Sequence, residues 1–105
     1  MKFIETPIFT KEMRKFLSDE EYKALQIALL LRPMQGNIIP GSGGLRKIRW
    51  GYKGKGKRGG CRIIYYWDKS KATIYMLLAY QKSMQEDLTP AQLKTLGKLV
   101  KEEFK

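Results

Sequence analysis

The stretch "GYKGKGKRGGCR", residues 51–62, contains five glycines, five basic residues and no acid. Two phosphate-binding patterns can be read in it: G-x-x-x-x-G-K ending at Lys57, and G-x-G-x-x-G ending at Gly59. Both patterns hold phosphate at the start of a helix, and a P-loop continues with Ser or Thr. Here Arg58 follows Lys57, and the β-branched and aromatic run "CRIIYYW" comes next. The stretch is therefore predicted to join two strands, which disfavours both phosphate-binding motifs, and a mobile solvated loop is the alternative to such a motif.

The net charge of +11 is concentrated in one part of the chain. No acid occurs between Glu21 and Asp68, a window with ten basic residues, so the rest of the chain carries the difference between 11 and 10, which is +1. The ten are Lys23, Arg32, Arg46, Lys47, Arg49, Lys53, Lys55, Lys57, Arg58 and Arg62. Such a patch costs folding free energy through self-repulsion, which indicates a polyanionic partner, with nucleic acid favoured. A membrane surface is disfavoured because the charges lie on strands and a loop rather than on an amphipathic helix.

Other kinds of site have little support in the composition. Cys61 is the one cysteine and there is no histidine, so neither an internal disulfide nor a structural zinc site is expected. Without a histidine partner, Cys61 is interpreted as a buried strand thiol. We expect no metal and no cofactor. No apolar run is long enough to span a bilayer, so a cytoplasmic protein with no membrane partner is expected.

The basic residues need strands to position them, and the sequence predicts these within one domain, residues 1–105. A short strand "KFIE" precedes a helix beginning at Thr6-Pro7. A second helix begins with a capping box, Ser18 and Glu21, and stops at Pro33. The loop "PMQGNIIPGSGG" is interpreted as turn chemistry throughout.

Three further strands follow, "LRKIRWGY", "CRIIYYW" and "ATIYMLLAY", and a closing helix begins at Thr89-Pro90. Short connections favour antiparallel pairing. The predicted fold is α+β, with a mainly antiparallel, twisted four-stranded sheet, two N-terminal helices and a C-terminal helix. Alternation places Lys47 and Arg49 on one face of the sheet, and Arg62 opens the next strand across the hairpin.

At "GGLRKIRW", "GKRGGCRIIYYW" and "IYMLLAYQK" the chain resembles the RelE/HigB superfamily, the toxins of type II toxin-antitoxin pairs, and the HigB branch in particular. The resemblance covers nearly the whole length and implies a RelE-like fold. It also implies a ribosome-dependent endoribonuclease, an mRNA interferase that cuts mRNA in the ribosomal A site without metal.

Carried across by position, the resemblance implies that Lys47, Arg49, Arg62 and Lys82 are catalytic. RelE has a tyrosine near the position of Leu88, so stacking on the base must come from elsewhere or be absent, and Tyr80 is a candidate. The remaining basic residues are predicted to bind RNA or the ribosome. They are Arg46, Lys53, Lys55, Lys57 and Arg58.

Attack by the RNA 2′-hydroxyl on the adjacent phosphate is the expected chemistry, because no strong protein nucleophile is visible. Arg62 would bind the scissile phosphate, while Lys47 and Lys82 would act as base and acid in either order. The implied partners are the ribosome, mRNA and an acidic antitoxin, HigA-like and carrying a DNA-binding domain. The alternative is a non-catalytic nucleic-acid-binding module that uses the same basic sheet and loop.

Overall fold

Side chains at the helix starts bond to the backbone as the sequence predicts. In a computed structural model of the chain, described here for residues 1–51, 60–85 and 87–104, the Ser18 hydroxyl accepts from the Glu21 amide at 3.1 Å, and the Glu21 carboxylate accepts from the Ser18 amide at 2.8 Å. Thr89 and Gln92 form a second capping box at the C-terminal helix, and Pro90 occupies its first turn. These caps satisfy amides that have no partner within the helix.

The elements follow one another in an order close to the predicted one. They are β1 (Lys2–Glu5), α1 (Pro7–Met13), α2 (Asp19–Leu31), β2 (Asn37–Ile38), β3 (Leu45–Trp50), β4 (Cys61–Asp68), a 3₁₀ turn (Lys69–Lys71), β5 (Thr73–Gln81), α3 (Pro90–Leu99) and a π-helical turn (Val100–Phe104). The two N-terminal helices, the C-terminal helix and the α+β class agree with the sequence prediction.

The predicted four-stranded sheet is wrong in strand number, because the sheet has five strands in the order β1-β5-β4-β3-β2. The extra strand, β2, pairs antiparallel with Arg46 and Lys47 of β3. It is two residues long and lies among prolines and glycines, so no alternating pattern marks it in the sequence. The pairing of β1 with β5 is parallel while the other three pairings are antiparallel, which makes the sheet mixed.

The sheet has a helical layer on each face. On the first, the α1–α2 face, Phe9 and Leu25 pack with strand residues such as Ile63 and Tyr65. On the second, the α3 face, Leu45, Ile64 and Val100 form a separate cluster, against which residues of α3 pack. Strands β3, β4 and β5 therefore direct apolar side chains to both layers, and the basic residues of β3 and β4 lie on these same strands.

A bulge in β5 affects the α3 face. Ile64 of β4 pairs with Leu78, whereas Tyr65 pairs with Met76, so Leu77 is an extra residue in β5. Leu77 and Leu78 both join the cluster on the α3 face. An extra residue of this kind re-aims the side chains that follow it, and here it brings Tyr80 into line with Arg62.

Candidate nucleic-acid interface

A row of polar side chains crosses three adjacent strands on the α3 face. Arg49 of β3 lies directly opposite Arg62 of β4, which lies opposite Tyr80 of β5. Directly opposed residues point to the same side of a sheet, with Cβ atoms about 5 Å apart. Lys47, two residues before Arg49, lies opposite Ile64 in the neighbouring row. The strand register thus brings Lys47, Arg49 and Arg62 onto one surface, hereafter the basic row.

Members of the basic row differ in depth. Arg49 is exposed, whereas Arg62 is 4% exposed and lies among the buried residues of the sheet. A guanidinium keeps its charge when buried, and attraction to an anion increases where water is excluded. At 4% exposure Arg62, like Tyr80, can contact a ligand only after its neighbours move, whereas the exposed Arg49 can bind a phosphate directly.

An acid also lies at this surface. The ammonium of Lys47 donates to the carboxylate of Asp87 at 2.5 Å, and the Asp87 side chain is 72% exposed. The Gln85 side chain holds the segment in place, because its amide donates to the Asp87 carbonyl at 2.8 Å and to Gln92 of α3 at 3.0 Å. Sequence reasoning missed Asp87, since 40 residues separate it from Lys47 and only folding brings them together.

A cavity of about 710 Å³ opens beside the basic row. Its lining includes Lys47 and Arg49 of β3, Asn37 of β2, and Asp87 and Leu88 of the segment before α3. This volume lies within the range of small-molecule sites, and it is large enough to accept part of a nucleotide chain. Leu88 contributes an apolar wall to the cavity.

Tyr80 is 6% exposed, so its ring offers almost no open face to a base. Its hydroxyl is buried and has no hydrogen-bond partner among the described residues. Burial raises the pKa of Tyr80 to about 12, with Asp87 adding to the rise and Arg62 opposing it. The phenol is consequently neutral at physiological pH, and base stacking by Tyr80 stays a prediction that requires the ring to become exposed.

Arg46 lies apart from the basic row. It alternates with Lys47 along β3, and its guanidinium donates to the carbonyls of Met34 at 3.0 Å and Gly36 at 2.8 Å. Tyr65 supports the same turn from the core, donating to the Pro33 carbonyl at 2.7 Å and accepting from the Gly36 amide at 2.9 Å. In this structure Arg46 therefore holds the turn after α2 in place.

Lys82 follows β5 directly and is exposed. Its amide donates to the Gly60 carbonyl at 3.3 Å, at the start of the strand that carries Arg62. Gly60 is required there, because a Cβ atom would lie 2.1 Å from the Trp50 carbonyl oxygen. The predicted docking residues Lys53, Lys55, Lys57 and Arg58 lie outside the described residues.

Cys61 is fully buried and its thiol donates to the Trp50 carbonyl at 3.5 Å. Burial raises the pKa of Cys61 to about 12. A thiol held neutral and away from solvent is not a nucleophile, which confirms the interpretation of Cys61 as a structural strand residue. Among the described residues, no group of three or more Cys, Asp or Glu side chains could hold a metal ion. None of the helices in this part of the chain has the length and apolar character to cross a bilayer.

No known protein-family model matches the sequence. Solved structures of E. coli proteins do share its fold. A double mutant of the toxin RelE in the free state is 19% identical, with a TM-score of 0.58 over 80% of this chain and 85% of that one. The isolated RelE toxin is 17% identical, with a TM-score of 0.58 over 92% of this chain and 96% of that chain.

The intact RelBE toxin-antitoxin complex of E. coli also matches, at 20% identity and a TM-score of 0.56, over 75% of this chain and 93% of that chain. At 17–20% identity these likenesses establish the fold, which is RelE-like α+β with three helices and a five-stranded mixed sheet. These three matches are to RelE proteins, and the assignment to the HigB branch stays a prediction.

Proposed function

We propose that this chain is the toxin of a toxin-antitoxin pair and cleaves mRNA on the ribosome as a metal-independent endoribonuclease. The observation that carries the proposal is the basic row, which lies beside a cavity on a RelE-like fold. RNA is a polyanion, and the acid-free window between Glu21 and Asp68 supplies the charge to hold it. Assignment to the HigB branch is part of the same proposal.

In the proposed reaction the RNA supplies its own nucleophile. The 2′-oxygen attacks the adjacent phosphorus, a new P–O2′ bond forms, the P–O5′ bond breaks, and a 2′,3′-cyclic phosphate is left. Arg62 binds the non-bridging oxygens, where charge builds up in the transition state, and Arg49 adds a second contact. The 2′-proton passes to one of Lys47 and Lys82, and the other protonates the leaving 5′-oxygen.

The ion pair of Lys47 with Asp87 has a consequence for this mechanism. A protonated lysine has three donors and no acceptor, so Lys47 can take a proton only after it has lost one. In the structure its ammonium is bonded to a carboxylate at 2.5 Å. A phosphate that reaches Lys47 must therefore compete with Asp87, and the 72% exposure of Asp87 leaves it room to move aside.

Cleavage can be tested by adding the purified protein to translating ribosomes and mapping new mRNA 5′ ends. We expect cuts in phase with codons and 2′,3′-cyclic phosphate at the upstream fragment. Tight binding without cuts would instead favour the non-catalytic nucleic-acid-binding module, which a basic sheet with aromatic residues also fits.

Variants of the basic row test the residue roles. Lys47→Ala and Arg49→Ala should lower the single-turnover rate on bound complexes by about a hundredfold, and Arg62→Ala by about a hundred- to thousandfold. Arg62 is buried, so its removal can unfold the protein. Arg62→Lys is therefore included, because it keeps the charge but lacks the planar fork of the guanidinium. Circular dichroism shows whether each variant is folded. Lys11→Ala, an exposed lysine on α1, is the matched control and should cleave normally. Normal rates in all of the row variants would refute the assignment.

An acidic antitoxin, HigA-like and with a DNA-binding domain, is the proposed protein partner. The structural neighbour that supports this is a toxin-antitoxin complex. Expression of the chain alone should arrest growth. Co-expression of the acidic protein encoded beside it should restore growth, and the two proteins should co-purify. Harmless expression of the folded protein would count against toxicity.

A further inference from the structure

The outer side of α2 is apolar where solvent would be expected. Ile27 and Leu31 are 50% and 76% exposed, and Met34, just beyond the helix, is 62% exposed. Leu30, at 50%, borders them. The inner side of the same helix already buries Leu25 and Leu29 in the core. Four exposed apolar side chains on and just beyond the outer side of α2, whose inner side is already buried, indicate that a partner covers them; this outer surface is hereafter the α2 stripe.

We propose that the α2 stripe is the interface of a two-fold symmetric dimer, in which the α2 helices of two copies pack antiparallel. Spacing supports this, because Ala24, Ile27 and Leu31 lie on α2 at intervals of three and four residues, and Met34 lies just beyond the end of the helix. That is the repeat of a helix–helix seam with a crossing angle near about 20°. The dimer is independent of the function proposed above.

Charge at the two ends of α2 is self-complementary. The first turn is acidic, with Asp19, Glu20 and Glu21, whereas Arg32 caps the C-terminus. Antiparallel packing about a two-fold axis near Ile27 brings the acidic turn of each copy close to Arg32 of the other. A two-fold interface requires this kind of self-match, and paired end charges set the orientation while the apolar seam supplies the affinity.

The net charge of +11 does not oppose this arrangement. The helix and its cap, residues 19–32, hold three acids and two bases, which is a net charge of −1. The basic row lies on the α3 face, on the other side of the sheet from α2. The least dimension of the molecule is 23 Å, well beyond the Debye length of about 8 Å at physiological salt. Both basic rows face outward in the dimer and stay open.

Sedimentation equilibrium of the full chain between about 1 and 100 µM tests the dimer, since interfaces of modest size often have micromolar affinity. We expect the mass to rise from one copy to two. The double variant Ile27→Ser with Leu31→Ser should weaken association by about a hundredfold while melting cooperatively. Ile8→Ser, a control on α1 with 53% exposure, should dimerise like the parent. A parent that stays monomeric, or a double variant that still dimerises, would overturn the proposal.

Cross-linking locates the axis without relying on the double variant. With Ile27→Cys, mild oxidation should join two copies through a disulfide, because the two side chains meet near the two-fold axis. The natural Cys61 is fully buried and does not compete. Ile8→Cys should stay unlinked under the same conditions. If Ile8→Cys links as fast as Ile27→Cys, the contact is non-specific and the proposed interface is wrong.

Discussion

Two buried tyrosines on adjacent strands allow a matched test of what holds the turn after α2. Tyr65 is fully buried, and its hydroxyl bonds to the Pro33 carbonyl and the Gly36 amide at 2.7 and 2.9 Å. Tyr80 is nearly as buried, at 6% exposure, yet its hydroxyl has no hydrogen-bond partner among the described residues. Replacing each by Phe keeps the ring and removes one oxygen.

The expected magnitudes differ because of what each oxygen leaves behind. Tyr65→Phe leaves the Gly36 amide buried without a partner, which costs about 1–3 kcal/mol. It also removes the hydrogen bond to the Pro33 carbonyl, and this loss costs less free energy. We expect a loss of about 2 kcal/mol in the free energy of unfolding, or a fall in Tm of roughly 8–15 °C for a chain of this size. Tyr80→Phe removes an unsatisfied hydroxyl and should be neutral or stabilising by up to about 1 kcal/mol.

Urea unfolding followed by circular dichroism, with calorimetry for Tm, measures both changes. Hydrogen exchange at the Gly36 amide adds a local readout, since this amide should exchange faster in Tyr65→Phe and be unaltered in Tyr80→Phe. Equal destabilisation by the two variants would refute the reasoning, because ring burial rather than hydrogen bonding would then explain the cost.

Three further predictions concern charges and the thiol. Asp87→Asn should free Lys47 for phosphate, so that oligouridine binding strengthens and its slope against log salt steepens by about one; weaker binding would contradict this. The Cys61 thiol, with its pKa raised to about 12 by burial, should react with thiol reagents at pH 8 only in step with unfolding in urea, and fast reaction of the native protein would argue against burial. A hydrogen bond from Ser70 lowers the pKa of Asp68 in the folded protein below its unfolded value of about 3.9. The stability that this bond adds is therefore fully present above the unfolded pKa and is lost as the pH falls through the folded pKa. Asp68→Asn should therefore lose less stability between pH 6 and pH 3 than the parent, as measured by urea midpoints, and equal losses would contradict this.

Features that depend on neighbours in the chain could be predicted from the sequence. The capping box of Ser18 and Glu21 and the N-cap at Thr89 use groups three residues apart, and both form as predicted, while the reciprocal bond from Gln92 at Thr89 was not predicted. The shared face of Lys47 and Arg49 follows from the two-residue period of a strand. The same period puts Arg46 on the opposite face, a signal that grouping these residues by charge overlooked. Burial of Cys61 follows from its place at the start of an apolar strand.

Features that depend on distant contacts were decided by the tertiary structure. Two residues of β2 become a strand because β3 offers them a free edge, and β1 runs parallel to β5 because α1 and α2 carry the chain back across one face. The burial of Arg62 and the ion pair between Lys47 and Asp87 depend on which strands and segments become neighbours in the folded chain. Local sequence patterns determine backbone preference and the period of the side chains, whereas strand register and burial depend on the free energy of packing the whole chain. The positions of the basic residues on the strands could therefore be predicted from the sequence, and their surroundings could not.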